Sequence, residues 1–367
     1  MTLAIGLMSG TSGDGVSAAL VAFKNRSFKL LRYQTFSYPK KIREKITGAL
    51  RLNTPEISEL DVELGELFAE AALKILNRTS TKKVAVIGSH GQTLYHGPRG
   101  RFPSTFQIGE SAVIAEKTKL PVVSDFRPQD IAAGGEGAPL IPFFDDYFFG
   151  KGPVQALQNI GGIANVTIVG RGLSRPAAFD TGPGNCLIDL AIQKITKGKR
   201  SFDPSGKWAA KGQIQMKLIR RMKKHPYFKK RPPKSTGREE FGEAFLREYF
   251  GTRLTRSPYD TLATLTYFTA ATIYEGVKRF APRPPKEILV SGGGARNLTL
   301  MHCLKALFSP THVHSIEEWG IPAQAKEPIA FAFFALRAIR GETNHLPHST
   351  GARRLCVLGK ITPYAAH

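Results

Sequence analysis

The residues Ser9-Gly10-Thr11-Ser12-Gly13-Asp14-Gly15 form a glycine-rich turn between two apolar segments, Leu3 to Met8 and Val16 to Phe23. Two apolar runs joined by such a turn predict a β-hairpin. A further apolar and aromatic run, Phe28 to Phe36, adds a third strand. The chain continues with a helix that has the 3.6-residue apolar period and with a short buried strand, at Ile57 to Leu76 and Val84 to Ile87.

The same order begins again after a Gly/Pro-rich stretch, Ala132 to Pro142. The predicted elements are a strand Val154 to Asn159, the turn Ile160-Gly161-Gly162-Ile163-Ala164, strands Asn165 to Val169 and Pro176 to Phe179, and a helix Cys186 to Ile195 with Asn185 as N-cap. A strand Ile288 to Val290, a helix Leu298 to Leu307 and a last helix, Pro328 to Ile339, complete the chain, and this last helix is placed to cross back onto the first half. Two α/β halves of this kind predict a two-lobed protein with a cleft, and ligands bind at such loop edges.

The composition is that of a globular protein with a large positive charge. The chain has 367 residues and a formal net charge of +23, which attracts nucleic acid, acidic membranes and anionic small molecules without choosing among them. Three distant cysteines argue against a disulfide framework or structural zinc. The start lacks the features of a signal peptide, and no apolar run reaches the roughly 20 residues of a bilayer span. We expect a reducing, cytoplasmic location and no membrane association.

The turn at residues 9–15 has the composition of a phosphate cradle. It lacks the Gly-Lys-Ser/Thr ending of a P-loop and joins strand to strand, so neither a Walker site nor a Rossmann fingerprint fits. Its glycines let backbone N–H groups approach an anion, Thr11 and Ser12 add hydroxyl donors, and Asp14 is placed to face a metal ion or its waters. The alternative is a plain tight turn.

Two further loops join strands to helices. In Asp180-Thr181-Gly182-Pro183-Gly184-Asn185 a carboxylate lies beside a helix N-terminus, where phosphate binds and where the carboxylate accepts a proton from water or a sugar hydroxyl. An aspartate that helps to cap the helix is the alternative. Ser291-Gly292-Gly293-Gly294 with Asn297 is suited to lie against a base or ribose, and its alternative is a flexible connection.

Three such loops occur in the order used by the actin, hexokinase and sugar-kinase superfamily, and the wider set of motifs closely resembles the anhydro-N-acetylmuramic acid kinase family. The motifs that carry the resemblance are Met8-Ser9-Gly10-Thr11-Ser12-x-Asp14-Gly15, Gly91-Gln92-Thr93, Asp125-Phe126-Arg127-x-x-Asp130-Ile131-Ala132-x-Gly134-Gly135, Asn159-Ile160-Gly161-Gly162-Ile163-Ala164-Asn165, Asp180 to Asn185, Pro233-Lys234-Ser235-Thr236-Gly237-Arg238-Glu239, Ser291 to Gly294 and Leu346-Pro347-x-x-Thr350-Gly351-Ala352. The resemblance implies an α/β, two-lobed actin-like ATPase (ribonuclease-H-like) fold with duplicated β-sheet domains around a central cleft. We expect residues 1–131 with about 340–367 in one lobe and 132–339 in the other.

The resemblance also implies a reaction. ATP would phosphorylate 1,6-anhydro-N-acetylmuramic acid on the oxygen of carbon six while water opens the anhydro bridge, in peptidoglycan (cell-wall) recycling, to give N-acetylmuramic acid 6-phosphate. Asp180 matches the general base, Mg²⁺ and the hairpin would stabilise the phosphoryl group, and Asp14 is the metal candidate. Arg127 and Asp130 are assigned to the sugar, Arg127 against its lactyl carboxylate. The expected ATP-binding residues are Gly10, Thr11, Ser12, Gly13, Asp14, Gly15, Val16, Ser17, Gly161, Gly182, Gly184, Asn185, Gly292, Gly293, Gly294 and Asn297. A homodimer is implied as well.

The sequence departs from the family pattern at two positions of the hairpin. Ser17 stands where an Asp is usual, which puts the metal or nucleotide role of that position in doubt. Gly13 stands where a Leu is common, so binding would order a more flexible tip.

Two rival functions remain open. Lys217 to Lys234 is a basic run with interleaved Tyr227 and Phe228 that would suit nonspecific nucleic-acid binding, against the alternative of a solvated helix face and loop. A kinase for another sugar is the second rival.

Overall fold

The computed structural model describes residues 1–10, 13–77 and 79–365, with the side chain of Lys82 left out. These residues form two compact units, Met1–Phe148 with the segment from Ala325 onward, and Phe149–Gln324. The expected boundaries at residues 131 and 340 differ from this division. The cause is packing, because Phe143 and Phe144 pack against Phe333 of the helix beginning at Lys326, within the first unit.

The strands and helices of the described residues are numbered in chain order. The strands are β1 Thr2–Met8, β2 Gly15–Lys24, β3 Ser27–Ser37, β4 Val84–Ser89, β5 Gln92–Gly97, β6 Ser104–Ile108, β7 Val122–Ser124, β8 Gln155–Ile160, β9 Ile163–Val169, β10 Ala177–Pro183, β11 Glu287–Ser291, β12 His312–Ser315 and β13 Lys360–Thr362. The helices are α1 Lys40–Thr47, α2 Thr54–Leu76, α3 Ser111–Thr118, α4 Phe126–Ala132, α5 Ile141–Phe149, α6 Cys186–Ile195, α7 Met216–Met222, α8 Glu243–Tyr249, α9 Arg253–Arg256, α10 Pro258–Phe280, α11 Leu298–Phe308, α12 Lys326–Ile339 and α13 Pro347–Thr350. None of these helices has the length and apolar character to cross a lipid bilayer.

The sheet of the first unit has the strand order β13-β7-β4-β1-β2-β3. Strands β1, β2 and β3 form an antiparallel meander, and β4 and β7 continue the sheet parallel to β1. Helix α2 begins at a capping box between Asn53 and Glu56 and buries Leu60, Leu64 and Phe68 in the same core as β1 and β2. The predicted hairpin and the predicted long helix are therefore both present.

The sheet of the second unit repeats this topology with the order β10-β9-β8-β11-β12. Strands β8, β9 and β10 are the antiparallel meander, while β11 pairs parallel with β8 and β12 pairs parallel with β11. In both units the third, second, first, fourth and fifth strands thus lie side by side in that order. This is the ribonuclease-H-like arrangement, and the prediction of an α/β fold with duplicated sheets is confirmed.

Helix α12 lies very close to the first sheet. A Cβ atom at Gly6 on β1 would overlap the carbonyl oxygen of Pro328, and one at Gly88 on β4 would overlap that of Phe331. Only glycine permits this approach. The helix is buried around almost its whole circumference, so its first turn is held rigidly against the sheet.

Candidate active site

The glycine-rich turn lies at the edge of the first sheet where β1, β4 and β7 all end. The Ser9 hydroxyl is buried and lies 2.6 Å from Oε1 of Gln92 and 2.9 Å from the carbonyl oxygen of Gly15. Gly13 has a φ of +65°, and its N–H donates to the carbonyl oxygen of Gly10. The turn is therefore anchored on both sides. Thr11 and Ser12, two of the expected phosphate ligands, lie outside the described residues.

The residues that leave the turn differ in their exposure. Asp14 is exposed and lines a concave surface together with Lys40, Arg43 and Arg51. The Val16 side chain is part of the hydrophobic core, so only its backbone is available to a nucleotide. The Ser17 hydroxyl lies 2.8 Å from the Thr35 hydroxyl, on the neighbouring strand β3.

Arg127 is fixed at the same edge by His90, which directly follows β4. Nε and Nη2 of Arg127 donate to Nε2 of His90 at 3.0 and 2.8 Å, and Nη1 donates to the carbonyl oxygen of Gly137 at 2.7 Å. Since Nε2 accepts, the His90 proton is on Nδ1 and donates to the Gly91 carbonyl oxygen. Burial and the Arg127 charge hold the pKa of His90 well below its usual value, so this ring is neutral.

Asp130 is completely buried and turned into the first unit. Its carboxylate accepts hydrogen bonds from His345, Thr350 and the Gly137 N–H, at 2.7, 2.6 and 2.7 Å. Burial favours a higher pKa, but the hydrogen bonds outweigh it and lower the pKa of Asp130. A carboxylate with these partners holds the 130–137 loop in place, so Asp130 acts on Arg127 through Gly137.

Glu327 is a candidate that the sequence did not bring forward. It lies in the first turn of α12, and the charge of Arg127 acts on it. Burial raises the pKa of Glu327, while Arg127 and Lys326 oppose that rise. Burial in turn lowers the pKa of Arg127 to about 10, against the charges of Glu327 and Asp130. A half-buried carboxylate whose pKa responds to a positioned guanidinium is typical of a functional site.

In the second unit, two glycine loops pack directly against each other. The N–H groups of Gly184 and Asn185 donate to the carbonyl oxygens of Gly162 and Gly161, at 2.9 and 2.8 Å. A Cβ at Gly184 would overlap the Gly161 carbonyl oxygen. Asn185 precedes α6 as predicted, but its amide donates to the carbonyl oxygen of Ile160 and makes no cap hydrogen bond.

The loop after β11 joins the same edge. Gly292 has a φ of +82°, and a Cβ there would lie 2.6 Å from Oδ1 of Asn159 and 2.7 Å from the carbonyl oxygen of Ile160. A Cβ at Gly293 would meet only Nδ2 of the Asn185 side chain, at 3.6 Å, so this side of the loop is open. Asn297 is buried, and its Oδ1 accepts from the N–H of Leu300 as the cap of α11. The structure thus gathers the expected glycines at one edge of the second sheet and uses Asn297 to start a helix.

Asp180 lies within β10 rather than at its end, because the strand continues to Pro183. The pairing with β9 shifts register between Asp180 and Gly182, which is a β-bulge. Oδ2 of Asp180 accepts from the Thr236 N–H at 2.9 Å, and its carbonyl oxygen accepts from the Tyr227 hydroxyl at 2.6 Å. Burial raises the pKa of Asp180 to about 6, although the Thr236 N–H and the Lys234 charge lower it. A carboxylate with this pKa is ionised at neutral pH and is still a useful base.

The basic run does not present its aromatic residues to a partner. Tyr227 is fully buried, and Phe228 packs against the same core. Among its cations, Lys223 forms an ion pair with Glu275, and Arg221 lies over the ring of Tyr249. Bases of a nucleic acid would find neither Tyr227 nor Phe228 free for stacking, which removes one argument for the nucleic-acid alternative.

The solved structures whose folds resemble this one share little sequence with it. Component A of (R)-2-hydroxyglutaryl-CoA dehydratase from Acidaminococcus fermentans has a TM-score of 0.47 and 12% identity, over 92% of this chain and 98% of that one. A ROK family glucokinase from Streptomyces griseus, in complex with glucose and AMPPNP, has a TM-score of 0.40 and 12% identity over 91% of this chain and 99% of that one. Likeness at this level carries no conclusion about ligands.

Sequence relatives are much closer. Proteins named anhydro-N-acetylmuramic acid kinase are 40% identical in Caldanaerobacter subterraneus, 42% in Picosynechococcus sp. and 38% in Vibrio vulnificus, each over 98% of this chain and 96%, 99% and 98% of the relative. The family profile for anhydro-N-acetylmuramic acid kinase matches residues 2–364. Since the match spans both units and all the loops described above, the chain belongs to the anhydro-N-acetylmuramic acid kinase family.

Proposed function

We propose that this protein is an ATP-dependent kinase that opens 1,6-anhydro-N-acetylmuramic acid with water and yields N-acetylmuramic acid 6-phosphate and ADP. The observation that carries the proposal is Asp180, a half-buried carboxylate with a pKa of about 6 beside the glycine loops of a chain from this kinase family. Its place in peptidoglycan recycling follows from the substrate.

Asp180 is the general base of this proposal. It takes a proton from a water molecule as the water oxygen bonds to the anomeric carbon of the sugar. The bond from that carbon to the bridge oxygen breaks, and the bridge oxygen bonds to the γ-phosphorus as the bond to the ADP oxygen breaks. Thr236 and Tyr227 hold the base through its carboxylate and its backbone, so little reorganisation is needed when it takes the proton from the water.

The nucleotide is assigned to the glycine loops. In the second unit these are Gly161, Gly182, Gly184 and residues 292–294. The backbone at Gly184 and Gly292 lies close to neighbouring backbone, and the loop leaves an open face at Gly293. Asn185 and Asn297 support these loops through their own hydrogen bonds. In the first unit, the Gly10 to Ser17 hairpin is assigned to the phosphates, because glycine N–H groups and hydroxyls bind anions.

Mg²⁺ is the metal that we assign to the reaction. Among the described residues, no group of three or more His, Cys, Asp or Glu side chains gathers around a common point. Magnesium bound with a nucleotide uses one or two carboxylates and completes its shell with phosphate oxygens and water, so the exposed carboxylate of Asp14 fits it. Bound Mg²⁺ would neutralise charge on the phosphoryl group.

The sugar is assigned to Arg127 and Glu327, held by His90 and, through Gly137, by Asp130. We also infer that two copies of the chain associate and that the protein works in the cytoplasm. The three cysteines are free thiols, as is usual in a reducing compartment.

The test is a reaction with ATP, Mg²⁺ and 1,6-anhydro-N-acetylmuramic acid in water enriched in ¹⁸O, followed by mass spectrometry. We expect a product heavier by water and phosphate, with ¹⁸O at the anomeric carbon. Asp180→Asn is expected to lower the rate by about 10² to 10⁴, while the matched control Glu248→Gln, an exposed carboxylate on α8, leaves it unchanged. Phosphorylation of another amino sugar in preference to this one would overturn the proposed substrate.

A further inference from the structure

Lys234 carries a half-buried ammonium group that forms no ion pair within residues 1–10, 13–77 and 79–365. Its Nζ lies 4.6 Å from the centre of the Tyr227 ring and 5.2 Å from that of Phe280. Within the described part of the chain, no carboxylate oxygen lies within the 4.0 Å of an ion pair. Two rings stabilise a cation only in part, so a ligand anion in contact with the ammonium would supply the ion pair that it lacks.

The neighbours of Lys234 strengthen this positive field. The guanidinium of Arg279 lies over the Phe280 ring at 5.0 Å and donates to the Phe228 carbonyl oxygen. Lys230 lies 5.5 Å from the centre of the Tyr227 ring, with Glu240 3.9 Å away. Burial, then Arg279 and Lys230, lower the pKa of Lys234 to about 8, while Asp180 and Glu240 oppose the shift. The group is thus charged at neutral pH.

Lys234 belongs to the segment that holds the base, and its charge acts on the Asp180 carboxylate. Its carbonyl oxygen accepts from the Asp180 N–H at 3.0 Å, and Thr236, two residues on, donates its N–H to the Asp180 carboxylate. The segment is fixed further by the Thr236 hydroxyl, which donates to Oε2 of Glu240 at 2.8 Å. A molecule that presents its anomeric carbon to Asp180 therefore brings its other groups within the field of Lys234.

We propose that Lys234, with Arg279 as a second cation, is the subsite for the carboxylate on the lactyl group of the substrate. Arg127, the cation expected for this role from the sequence, already donates hydrogen bonds to His90 and Gly137. The Lys234 ammonium donates no side-chain hydrogen bond within the described part of the chain. The inference rests on the proposed function and adds to it the residue that distinguishes the acidic sugar from a neutral one.

The experiment compares 1,6-anhydro-N-acetylmuramic acid with its carboxamide, which has the same shape without the charge. For the wild type we expect kcat/KM to be about 10 to 100 times higher for the acid, as for a hydrogen bond to a charged group. In Lys234→Gln this ratio falls close to one, and in Lys234→Arg it is largely kept. Lys229→Gln, an exposed lysine of the same segment, is the matched control and keeps the wild-type ratio.

Three results would overturn the subsite. The first is a ratio of the two kcat/KM values that stays high in Lys234→Gln. The second is a ratio that falls to one in Arg127→Gln instead. The third is a Lys234→Gln variant with a higher KM for ATP and an unchanged ratio, in which case Lys234 serves the nucleotide phosphates. Loss of folding alone cannot change the ratio, because both sugars report on the same folded fraction. If the wild type phosphorylates neither sugar, the proposed function fails; the subsite is then judged by equilibrium binding of the acid and the carboxamide to wild type and Lys234→Gln.

Discussion

Nδ1 of His345 lies 2.7 Å from Oδ1 of Asp130, and neither side chain has any exposed surface. The N–H of Cys356 donates to the other ring nitrogen of His345, which leaves the ring proton on Nδ1 for Asp130. Asp130 in turn accepts from the Gly137 N–H, and the Gly137 carbonyl oxygen accepts from Arg127. Residues near the carboxyl end of the chain thus set the position of an arginine more than 200 positions earlier in sequence.

Replacing His345 by Gln therefore has an effect on both stability and sugar binding. The buried Asp130 loses a well-aligned donor, which costs about 1 to 3 kcal/mol of stability, and Arg127 loses its fixed position. We expect a lower melting temperature together with a higher KM for the sugar and an unchanged KM for ATP. The control is His302→Gln, an exposed histidine on α11. A lower melting temperature with both KM values unchanged would show that the network only holds the fold.

Arg127→Ala tests the assignment of this residue to the sugar. The variant removes a guanidinium held by three hydrogen bonds, so the KM for 1,6-anhydro-N-acetylmuramic acid is expected to rise by about tenfold or more. The KM for ATP should not change. Arg99→Ala removes an exposed arginine of the same unit, paired with Glu136, and should alter neither value. Equal increases of both KM values would contradict the assignment.

Substitution by alanine is expected to have opposite effects on stability and on ATP binding at two glycines of the second unit. In Gly184→Ala the new methyl group overlaps backbone at Gly161, so we expect strong destabilisation and little folded protein. In Gly293→Ala the methyl group has room in the protein itself, so the melting temperature should change little while the KM for ATP rises. Thermal denaturation and a titration with ATP separate the two effects. Normal ATP affinity in Gly293→Ala would place the nucleotide elsewhere.

The acid side of the pH profile reports on Asp180. The base acts only when ionised, so kcat/KM should rise with pH through the Asp180 pKa of about 6 and level off above it. An unperturbed carboxyl group would place this rise near pH 4. A pH series on the wild type, corrected for loss of folded protein by circular dichroism, measures the midpoint. A midpoint near 4 would mean that another carboxyl group is the base.

Asp180 also lowers the stability of the protein at neutral pH. Its carboxyl pKa is raised from 3.8 to about 6 on folding, so the folded state binds more protons between these values and stability falls as pH rises through this window. Above it the ionised group costs up to about 3 kcal/mol. Asp180→Asn is thus expected to melt at a higher temperature than wild type at about pH 7.5, with the difference vanishing near pH 4. A lower melting temperature at both pH values would contradict this sign.

The sequence predicted the elements that depend on local pattern. The hairpin from Leu3 to Phe23, the turn at Gly161 and helix α6 all follow from apolar runs broken by glycine. In the hairpin, the positive φ of Gly13 and the close approach of Gly15 to the Phe36 backbone leave few other residues possible. Asp180 stood out because it directly follows an apolar run and precedes the glycines of the next turn. The sequence did not predict that β10 continues past Asp180, because the β-bulge there depends on how β9 pairs with β10.

Other features depend on contacts far apart in sequence and left no local sign. Glu327 reads as an ordinary acidic residue in the first turn of a helix, and only the approach of α12 to the first sheet brings it near Arg127. In the sequence Asp130 looks like a sugar ligand. In the structure its carboxylate is hydrogen-bonded by His345 and Thr350, which follow α12 in the chain. The strand pair β5 and β6 was not predicted, because its exposed Tyr95 and Phe106 do not give the half-buried alternation.

The close packing of α12 against Gly6 and Gly88 constrains how the polypeptide folds during synthesis. The first strands leave the ribosome at the start of translation, but the helix that covers them is made only after the whole second unit. The second unit is continuous in sequence and can complete its core first. Until α12 emerges, β1 and β4 expose apolar surface, so the nascent chain is a natural client for chaperones that shield such strands.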